Sequence, residues 1–228
     1  SIAGLMGLVL VNALSLKEAF AGGWGSTTLL LIFFMIMMAA IVEQSGVSSF
    51  ISIYFISRKW VLGKPWTFIF IFMCTVFLLS AITSTIPTII ICWSILYGIC
   101  QQVGYKPYDP FASFMVIGVV IVGTFGLAVF PFKPVGILVF GVLQDMSGLT
   151  VDYLTYLCFT IPMGILCIAA FVIIGKFIFR IDVSKLRDLN EDSFKNTNLR
   201  LTKRQKFVIG FMFALIVVLL LPSILPAQ

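Results

Sequence analysis

Hydroxyl side chains interrupt a long apolar stretch at Thr83-Ser84-Thr85, immediately before Pro87 and Thr88. Hydroxyl oxygens and free backbone carbonyls at a helix break are suitable ligands for a hard cation such as Na+. The N-terminus of a returning helix favours an anion instead, because its free N–H groups carry partial positive charge. The competing interpretation is that these side chains only satisfy the backbone groups that Pro87 frees.

A second interruption, residues 123–136, contains several glycines and prolines and a single charge, Lys133. No other charged residue occurs between Asp109 and Asp145. A charge at membrane depth is costly and usually functional. Lys133 could therefore pair with a substrate carboxylate or take the place of a cation. The competing interpretation is that Lys133 snorkels to an interface or meets an acid in another part of the protein.

These two interruptions supply all the candidate binding residues, namely Thr83, Ser84, Thr85, Thr88, Gly123, Thr124, Gly126 and Lys133. The sequence shows no nucleophile–base pair, no phosphate-binding loop and no cluster of metal ligands, and the chain has no His. It therefore predicts no enzyme and no catalytic residue. The one expected ligand besides the substrate is a Na+ ion at Thr83, Ser84 and Thr85.

The composition is that of a membrane protein. Of the 228 residues, 61% are hydrophobic and 11% are charged, whereas soluble domains carry about 25% charged residues. We therefore expect an all-α polytopic membrane protein. The net charge of +6 is explained by basic cytoplasmic segments, so no nucleic-acid partner is needed.

Apolar runs predict helices at residues 2–14, 26–42, 109–124, 154–179 and 207–221. A turn is predicted at 22–25, and a short amphipathic helix at 47–56 is typical of a membrane interface. Residues 135–143 resume the apolar pattern after a break at 125–134, which predicts one discontinuous helix.

Residues 66–80 and 88–100 are two apolar runs around a polar tip at 81–87. A helical run of 15 residues covers only about 22 Å, whereas the hydrocarbon core is about 30 Å thick. We therefore predict a re-entrant hairpin, whose polar tip lies inside protein or beside a water-filled cavity. Two full crossings are the alternative, and they give the same topology for the rest of the chain.

Basic residues cluster at 58–64 and again at 176–206, and both clusters should be cytoplasmic. The loop at 144–153 has acids and no basic residue, so it should face the opposite side. The acids near predicted membrane edges should be solvated; they are Glu43, Asp145 and Asp152.

The order of these features resembles the divalent anion:sodium symporter family, within the wider ion transporter superfamily. The resemblance covers nearly the whole chain and rests on four segments: Glu43-Gln44-Ser45-Gly46-Val47, Ser80 to Thr88, Gly123 to Pro134, and Leu149 to Tyr153 with the later Gly164. The individual motifs are degenerate, and their order carries more weight than any one of them.

The resemblance implies secondary active transport of a small organic anion of the di- or other carboxylate class, with Na+ as the expected coupling ion. It implies two inverted repeats, each with one hairpin and one broken helix, in a homodimer of a prokaryotic inner membrane. This chain would hold the first repeat and the opening helix of the second, with membrane lipid and the second half of the transporter as partners.

The resulting organisation has five parts. They are a scaffold with an interfacial helix (1–64), a transport region with the hairpin and broken helix (65–143), a transmembrane helix (144–179), a cytoplasmic linker (180–205) and the first helix of the second repeat (206–228).

Two departures from the family pattern affect the site. Ser84 stands where the family has Asn, and Phe132-Lys133-Pro134 stands where it has a Pro-Pro-Asn loop. We hypothesise that Lys133 supplies a fixed positive charge in place of one Na+. Two other functions stay open: a cation or proton antiporter of the same superfamily, which needs an acid at depth, and a membrane scaffold or sensor without transport. A half-size protein that pairs in opposite orientations is disfavoured by the charge bias.

Overall fold

A computed structural model describes residues 6–7, 9–11, 15–17, 27–56, 61, 63–106, 108–148, 151–188 and 201–224. These residues form helices and turns and no strand, which confirms the all-α fold class. The helices are α1 (Thr27–Gln44), α2 (Val47–Ile56), α3 (Pro65–Ile82), α4 (Thr85–Gln102), α5 (Pro110–Leu127), α6 (Pro134–Ser147), α7 (Tyr153–Ile173, continued by a π-turn at Ile174–Ile178) and α8 (Lys203–Ile224).

Of the predicted helix 2–14, residues 6–7 and 9–10 are helical and most of the rest lies outside the described residues, as does the predicted turn 22–25. Four described helices are long and apolar enough to cross a membrane: α3, α4, α5 and α7 with its π-turn. The end of α1 and α2 form a further candidate, bent by 60° at their junction. The chain is a multi-pass membrane protein.

The two limbs of the hairpin are longer than the sequence predicted. Helices α3 and α4 have 18 residues each, which corresponds to about 27 Å. The polar tip was predicted at 81–87, but only Thr83 and Ser84 lie outside the two helices. Pro87 is helical because it lies in the first turn of α4, where its missing N–H costs no helical hydrogen bond. The length argument for a re-entrant hairpin was therefore wrong, and two crossings fit these lengths equally well.

The chain divides into two compact units, and it passes from one to the other within α1, within the break after α5 and just before α7. The first unit comprises residues 1–38 and 131–151. It contains α6, which ends at Gly148 with a φ of 68°, a conformation that glycine adopts without strain. Gly136, in the first turn of α6, leaves room for the carbonyl of Pro131.

The second unit comprises residues 39–130 and 152–228 and contains the hairpin. Its core lies along α3 and α5, where Phe72, Met73 and Met115 are fully buried. Gly118 of α5 lies against Phe171 and Met73, and a Cβ there would overlap both side chains. Close approach through small residues is how helices associate in lipid, and here it places α5 between α3 and α7.

The predicted break between two helices is present, but it is shorter than predicted, and one discontinuous span stays a prediction. Helix α5 ends at Leu127 and α6 begins at Pro134, so Ala128 to Lys133 form the interruption. Gly123, Thr124 and Gly126 were expected in or beside the break, and all three are helical. The two glycines allow close packing between helices and do not break α5.

Helix α2 has the predicted bounds, but its polar side faces inward. Ser48 and Ser52 lie one turn apart and are 2% and 1% exposed, whereas Tyr54 is exposed. The Ser52 hydroxyl donates to the Ser48 carbonyl at 3.0 Å. An interfacial helix would turn its serines to water, whereas the serines of α2 face the protein interior. Whether α2 lies at the interface stays a prediction.

The start of the predicted linker 180–205 is packed against the protein. A 3-10 turn at Ser184–Asp188 buries Leu186, which is 1% exposed. Lys185 Nζ donates to the Gly104 carbonyl at 2.9 Å, and the Tyr105 hydroxyl donates to the Asp182 carbonyl at 3.1 Å. Residues 181–188 therefore form a strap across the loop between α4 and α5. The cytoplasmic linker stays a prediction, and its residues 189–200 lie outside the described residues.

Candidate functional site

Two residues in extended conformation connect α3 to α4 at the hairpin tip. Thr83 and Ser84 both have β-region ψ angles, and the Thr83 N–H donates to the Leu79 carbonyl at 2.7 Å to end α3. Ser84 is the N-cap of α4, and its side chain makes no capping hydrogen bond. The first N–H groups of α4 are thus left to other acceptors.

Thr83 and Thr88 form a buried hydroxyl pair at this turn. Their Oγ1 atoms are 2.7 Å apart, Thr83 Oγ1 lies 2.8 Å from the Leu79 carbonyl, and Thr88 Oγ1 lies 2.8 Å from the Ser84 carbonyl. Either hydroxyl can be the donor within the pair. The turn therefore gathers two hydroxyl and two carbonyl oxygens, the ligand type that a hard cation prefers.

Ser80 joins the hairpin to α5, and sequence analysis missed it. Its hydroxyl donates to the Gly123 carbonyl at 2.5 Å and lies 3.1 Å from Thr85 Oγ1. Ser80 is fully buried. The available signal was its position one helical turn before Thr83, on the side of α3 that carries the tip hydroxyls.

Two glycines allow the hairpin to approach the end of α5. A Cβ on Gly126 would lie 2.7 Å from the Phe77 carbonyl and 2.8 Å from Ser80 Cβ. A Cβ on Gly123 would lie 3.2 Å from Ile89 Cγ1. Gly123 and Gly126 are thus the surface on which the hairpin tip rests.

Two hydroxyl groups of α7 form hydrogen bonds with backbone carbonyls in the break after α5. The Tyr156 hydroxyl donates to the Ala128 carbonyl at 2.6 Å, and Thr160 Oγ1 lies 3.3 Å from the Val129 carbonyl. Sequence analysis missed both residues. Their spacing of one helical turn within an apolar helix was the available signal, because it places two hydroxyls on one face.

The structure brings together six of the eight predicted residues in the second unit: Thr83, Ser84, Thr85, Thr88, Gly123 and Gly126. Thr124 is not with them, because it is exposed and its hydroxyl donates to the Val120 carbonyl of its own helix. Lys133 belongs to the first unit, where it is the N-cap of α6 and only 7% exposed. The binding roles of all eight stay predictions.

Glu43 differs from the expectation of a solvated edge charge. The residue is half-buried, and its Oε1 is buried without a hydrogen-bond partner among the described residues. Asp145 and Asp152 are exposed, as expected. Asp152 caps α7 by accepting from the Thr155 N–H at 2.9 Å. The neighbouring Val42 and Val47 pack with Val208 and Met212 of α8.

The polar atoms at the hairpin tip are hydroxyl and carbonyl oxygens. The described residues include no group of three or more His, Cys, Asp or Glu that could hold a metal ion. Hydroxyls and main-chain carbonyls such as those of Leu79 and Ser84 select a hard cation over a transition metal.

A family model described as citrate transporter (CitMHS) matches residues 1–227. The chain belongs to the citrate transporter family. This family is a member of the ion transporter superfamily, so the wider assignment from sequence is confirmed. No curated protein and no solved structure matches the chain.

As a citrate transporter family member, the chain has a role in transport of carboxylate-type anions. The closer resemblance to the divalent anion:sodium symporters stays a prediction.

Proposed function

We propose that this chain forms one half of a secondary active transporter that moves citrate or a similar carboxylate. The observation that carries the proposal is the hairpin tip, whose buried hydroxyls rest on the end of a broken helix. Non-helical backbone and hydroxyls at membrane depth are typical of transporter binding sites. Membership of the citrate transporter family supports the carboxylate substrate.

Two helix N-termini supply positive potential for an anion. Ser84, the N-cap of α4, makes no side-chain capping hydrogen bond, and Lys133, a buried cation, is the N-cap of α6. A cation at a helix N-terminus is unfavourable in the helix field, and a bound carboxylate offsets that repulsion. We therefore propose Lys133 and the N-terminus of α4 as separate anion-binding elements.

A Na+ ion at Thr83, Ser84 and Thr85 is proposed as the coupling ion. The buried Thr83–Thr88 hydroxyl pair supports it, because hydroxyl oxygens are suitable ligands for a hard cation. The Ser84 carbonyl adds a main-chain ligand beside these hydroxyls. Ser84 lacks the amide of the family motif, so the proposed ion is held by hydroxyls and carbonyls alone.

The wider architecture follows from the resemblance to the divalent anion:sodium symporters. We propose residues 65–143 as the transport region, with an inverted second repeat that begins in 206–228. A homodimer surrounded by membrane lipid would complete the transporter.

The test is uptake of labelled citrate by the full-length transporter in proteoliposomes, with and without an inward Na+ gradient. Labelled succinate tests the breadth of the substrate class, and empty liposomes give the background. We expect citrate uptake that Na+ accelerates. Uptake indifferent to Na+ contradicts the coupling ion but keeps the substrate class, whereas absence of citrate and succinate uptake contradicts the proposed function.

The Lys133→Ala variant tests the anion-binding role in the same assay. We expect its KM for citrate to rise at least several-fold, because a buried positive charge is lost. Unchanged KM together with unchanged Na+ dependence would contradict that role.

A second candidate function, cation or proton antiport, is favoured by Glu43. That function needs a buried acid, and the Oε1 of Glu43 is buried without a hydrogen-bond partner among the described residues. Under antiport, Glu43→Gln abolishes exchange driven by a pH or Na+ gradient, and the Asp145→Asn control retains it. Equal exchange in the two variants contradicts antiport through this acid.

A further inference from the structure

A cavity of about 280 Å³ lies between α4 and α5, near the loop that joins them and away from the hairpin tip. Trp93 and Val116 line the end farther from the loop, where Trp93 Nε1 donates to the Val116 carbonyl at 3.2 Å. Gln101 and Lys106 line the end at the loop. The cavity is therefore apolar at one end and polar at the other, which is the pattern that an amphipathic ligand requires.

The apolar part of the cavity is long enough for a segment of an acyl chain. Trp93 and Gln101 are eight residues apart on α4, which corresponds to about 12 Å along the helix. Between them lie Leu96 and Cys100, which are 2% and 6% exposed and give the cavity an apolar floor. Tyr97, also in the lining, is exposed and makes no hydrogen bond among the described residues. Trp and Tyr are enriched where the hydrocarbon of a membrane meets its headgroups.

Lys106 gives the polar end of the cavity a positive charge. The described lining contains no acid, and the Lys106 side chain makes no ion pair within the part of the chain that the structure describes. The nearby Asp109 is already matched by Lys185, whose Nζ lies 3.9 Å from its Oδ2, and it also accepts from the Lys106 backbone N–H at 2.9 Å. The polar end therefore favours an anionic group.

We expect the loop that carries Lys106 to lie at a membrane surface. Lys64 precedes α3 and Lys106 follows α4, so a re-entrant hairpin and two crossings both leave these lysines on one side, predicted to be cytoplasmic. The same loop exposes 94% of Tyr108, as expected of an aromatic side chain at headgroup level. Anionic lipids concentrate in the cytoplasmic leaflet, and basic pockets between membrane helices bind their headgroups.

We propose that this cavity binds an anionic phospholipid, with an acyl chain against Leu96 and Trp93 and the phosphate against Lys106. The apolar floor favours an acyl chain over a small soluble anion, because such an anion needs several convergent polar groups. The inference rests on the multi-pass membrane fold and is independent of the proposed substrate and coupling ion.

The test is quenching of Trp93 fluorescence by phospholipids with brominated acyl chains, in full-length transporter reconstituted into bilayers. The bilayers mix phosphatidylglycerol, which is anionic, with phosphatidylcholine, which has no net charge, and either lipid carries the bromine. The quenching that disappears in Trp93→Phe is assigned to Trp93. We expect about fivefold preference for phosphatidylglycerol, the usual contribution of one lysine near an anionic membrane surface.

Lys106→Gln tests the headgroup contact, because it removes the charge and keeps a polar side chain. The preference for phosphatidylglycerol should disappear in this variant. Lys64→Gln is the matched control, since Lys64 is exposed at the same end of the hairpin and is not in the cavity lining. No preference in the parent, or equal loss of preference in the two variants, overturns the inference.

Ala112→Leu tests the acyl-chain contact. Ala112 lines the cavity, so the larger side chain should reduce quenching of Trp93 by both lipids. Ala170→Leu, at an exposed position on α7, should leave it unchanged. Unchanged quenching in Ala112→Leu overturns the inference, and Lys106→Gln decides it if that variant does not fold. Absence of Trp93 quenching by either lipid in the parent also overturns it, because a second copy or another part of the transporter then covers the cavity.

Discussion

Thr83 and Ser80 show how single hydroxyls define this site. Thr83 was predicted from its position in the polar tip, because a hydroxyl run in an apolar stretch is visible in any sequence. Ser80 was missed because its role depends on the Gly123 carbonyl, 43 residues away. A residue whose partner lies on another helix has no local pattern that marks it.

At the residue scale, the first prediction concerns the hydroxyl pair. Thr83→Val removes the contacts with Thr88 and the Leu79 carbonyl while keeping the side-chain volume. A hydrogen bond of this kind contributes about 1 kcal/mol, so we expect a several-fold rise in the Na+ concentration that half-saturates citrate uptake.

Thr75→Val is its control. Thr75 is buried on α3 and donates to the Ile71 carbonyl at 2.8 Å, so its loss should leave the Na+ dependence of uptake unchanged. Equal effects of the two substitutions on uptake would show that the hydroxyl pair has no special role.

The second prediction concerns Gly126. Gly126→Ala places a methyl 2.7 Å from the Phe77 carbonyl, and backbone cannot move aside as a side chain does. Overpacking typically costs about 1–3 kcal/mol, so Tm of the purified protein should fall. Gly98→Ala should keep or raise Tm, because nothing lies within 4 Å of a Cβ on Gly98 in α4. A stable Gly126→Ala protein would contradict the close contact.

At the element scale, the strap of residues 181–188 ties the end of α7 to the loop between α4 and α5. We expect Leu186→Ala to cost about 2–5 kcal/mol, the usual range for a buried leucine. Arg187→Ala, on the exposed side of the strap, should cost less than about 0.5 kcal/mol. Limited trypsin digestion measures this difference, with faster cleavage at Lys185 expected only in Leu186→Ala. Equal cleavage rates would mean that Leu186 does not anchor the strap.

Tyr105 makes the strap sensitive to alkaline pH. Burial first, and then the nearby Asp182 carboxylate, raises the pKa of Tyr105 from 10.0 to about 12. Since the folded state binds this proton more tightly than the unfolded chain, the stability contribution is complete below pH 10. It is lost as pH rises from about 10 to 12, when the phenolate can no longer donate to the Asp182 carbonyl.

Thermal unfolding between pH 9 and 12 tests this dependence. Tyr105→Phe should lose part of the stability at pH 9 and show a shallower decline above pH 10. The Tyr97→Phe protein should follow the parent curve. Parallel curves for Tyr105→Phe and the parent would contradict the assignment.

At the scale of the whole molecule, the remaining choice is between a re-entrant hairpin and two crossings. Helix lengths no longer favour the hairpin, since both limbs have 18 residues. The buried hydroxyl contacts at the tip still favour it, because water at a membrane surface would satisfy such groups without them.

A spin label at the tip tests this choice. In a background without the native cysteines, Ser84→Cys carries the label, and oxygen and a water-soluble nickel complex are compared as relaxants. We expect membrane depth, with oxygen the stronger relaxant. Lys64→Cys and Asp145→Cys, both at exposed positions, are the aqueous references. A Ser84 label as water-accessible as these references would establish two crossings.

The sequence by itself determined the membrane class, the all-α fold, the presence of a break between α5 and α6, and the bounds of α2. These follow from local properties, because apolar length and the positions of glycine and proline act within one segment. The tertiary structure decided the inward serines of α2, the strap beneath Tyr105, and the contacts of Ser80 and Tyr156 with carbonyls of α5. Those features depend on which helix faces meet, and helices in lipid pair through close packing of small residues such as Gly118 and Gly126. Because that packing joins residues far apart in the chain, no single segment records it.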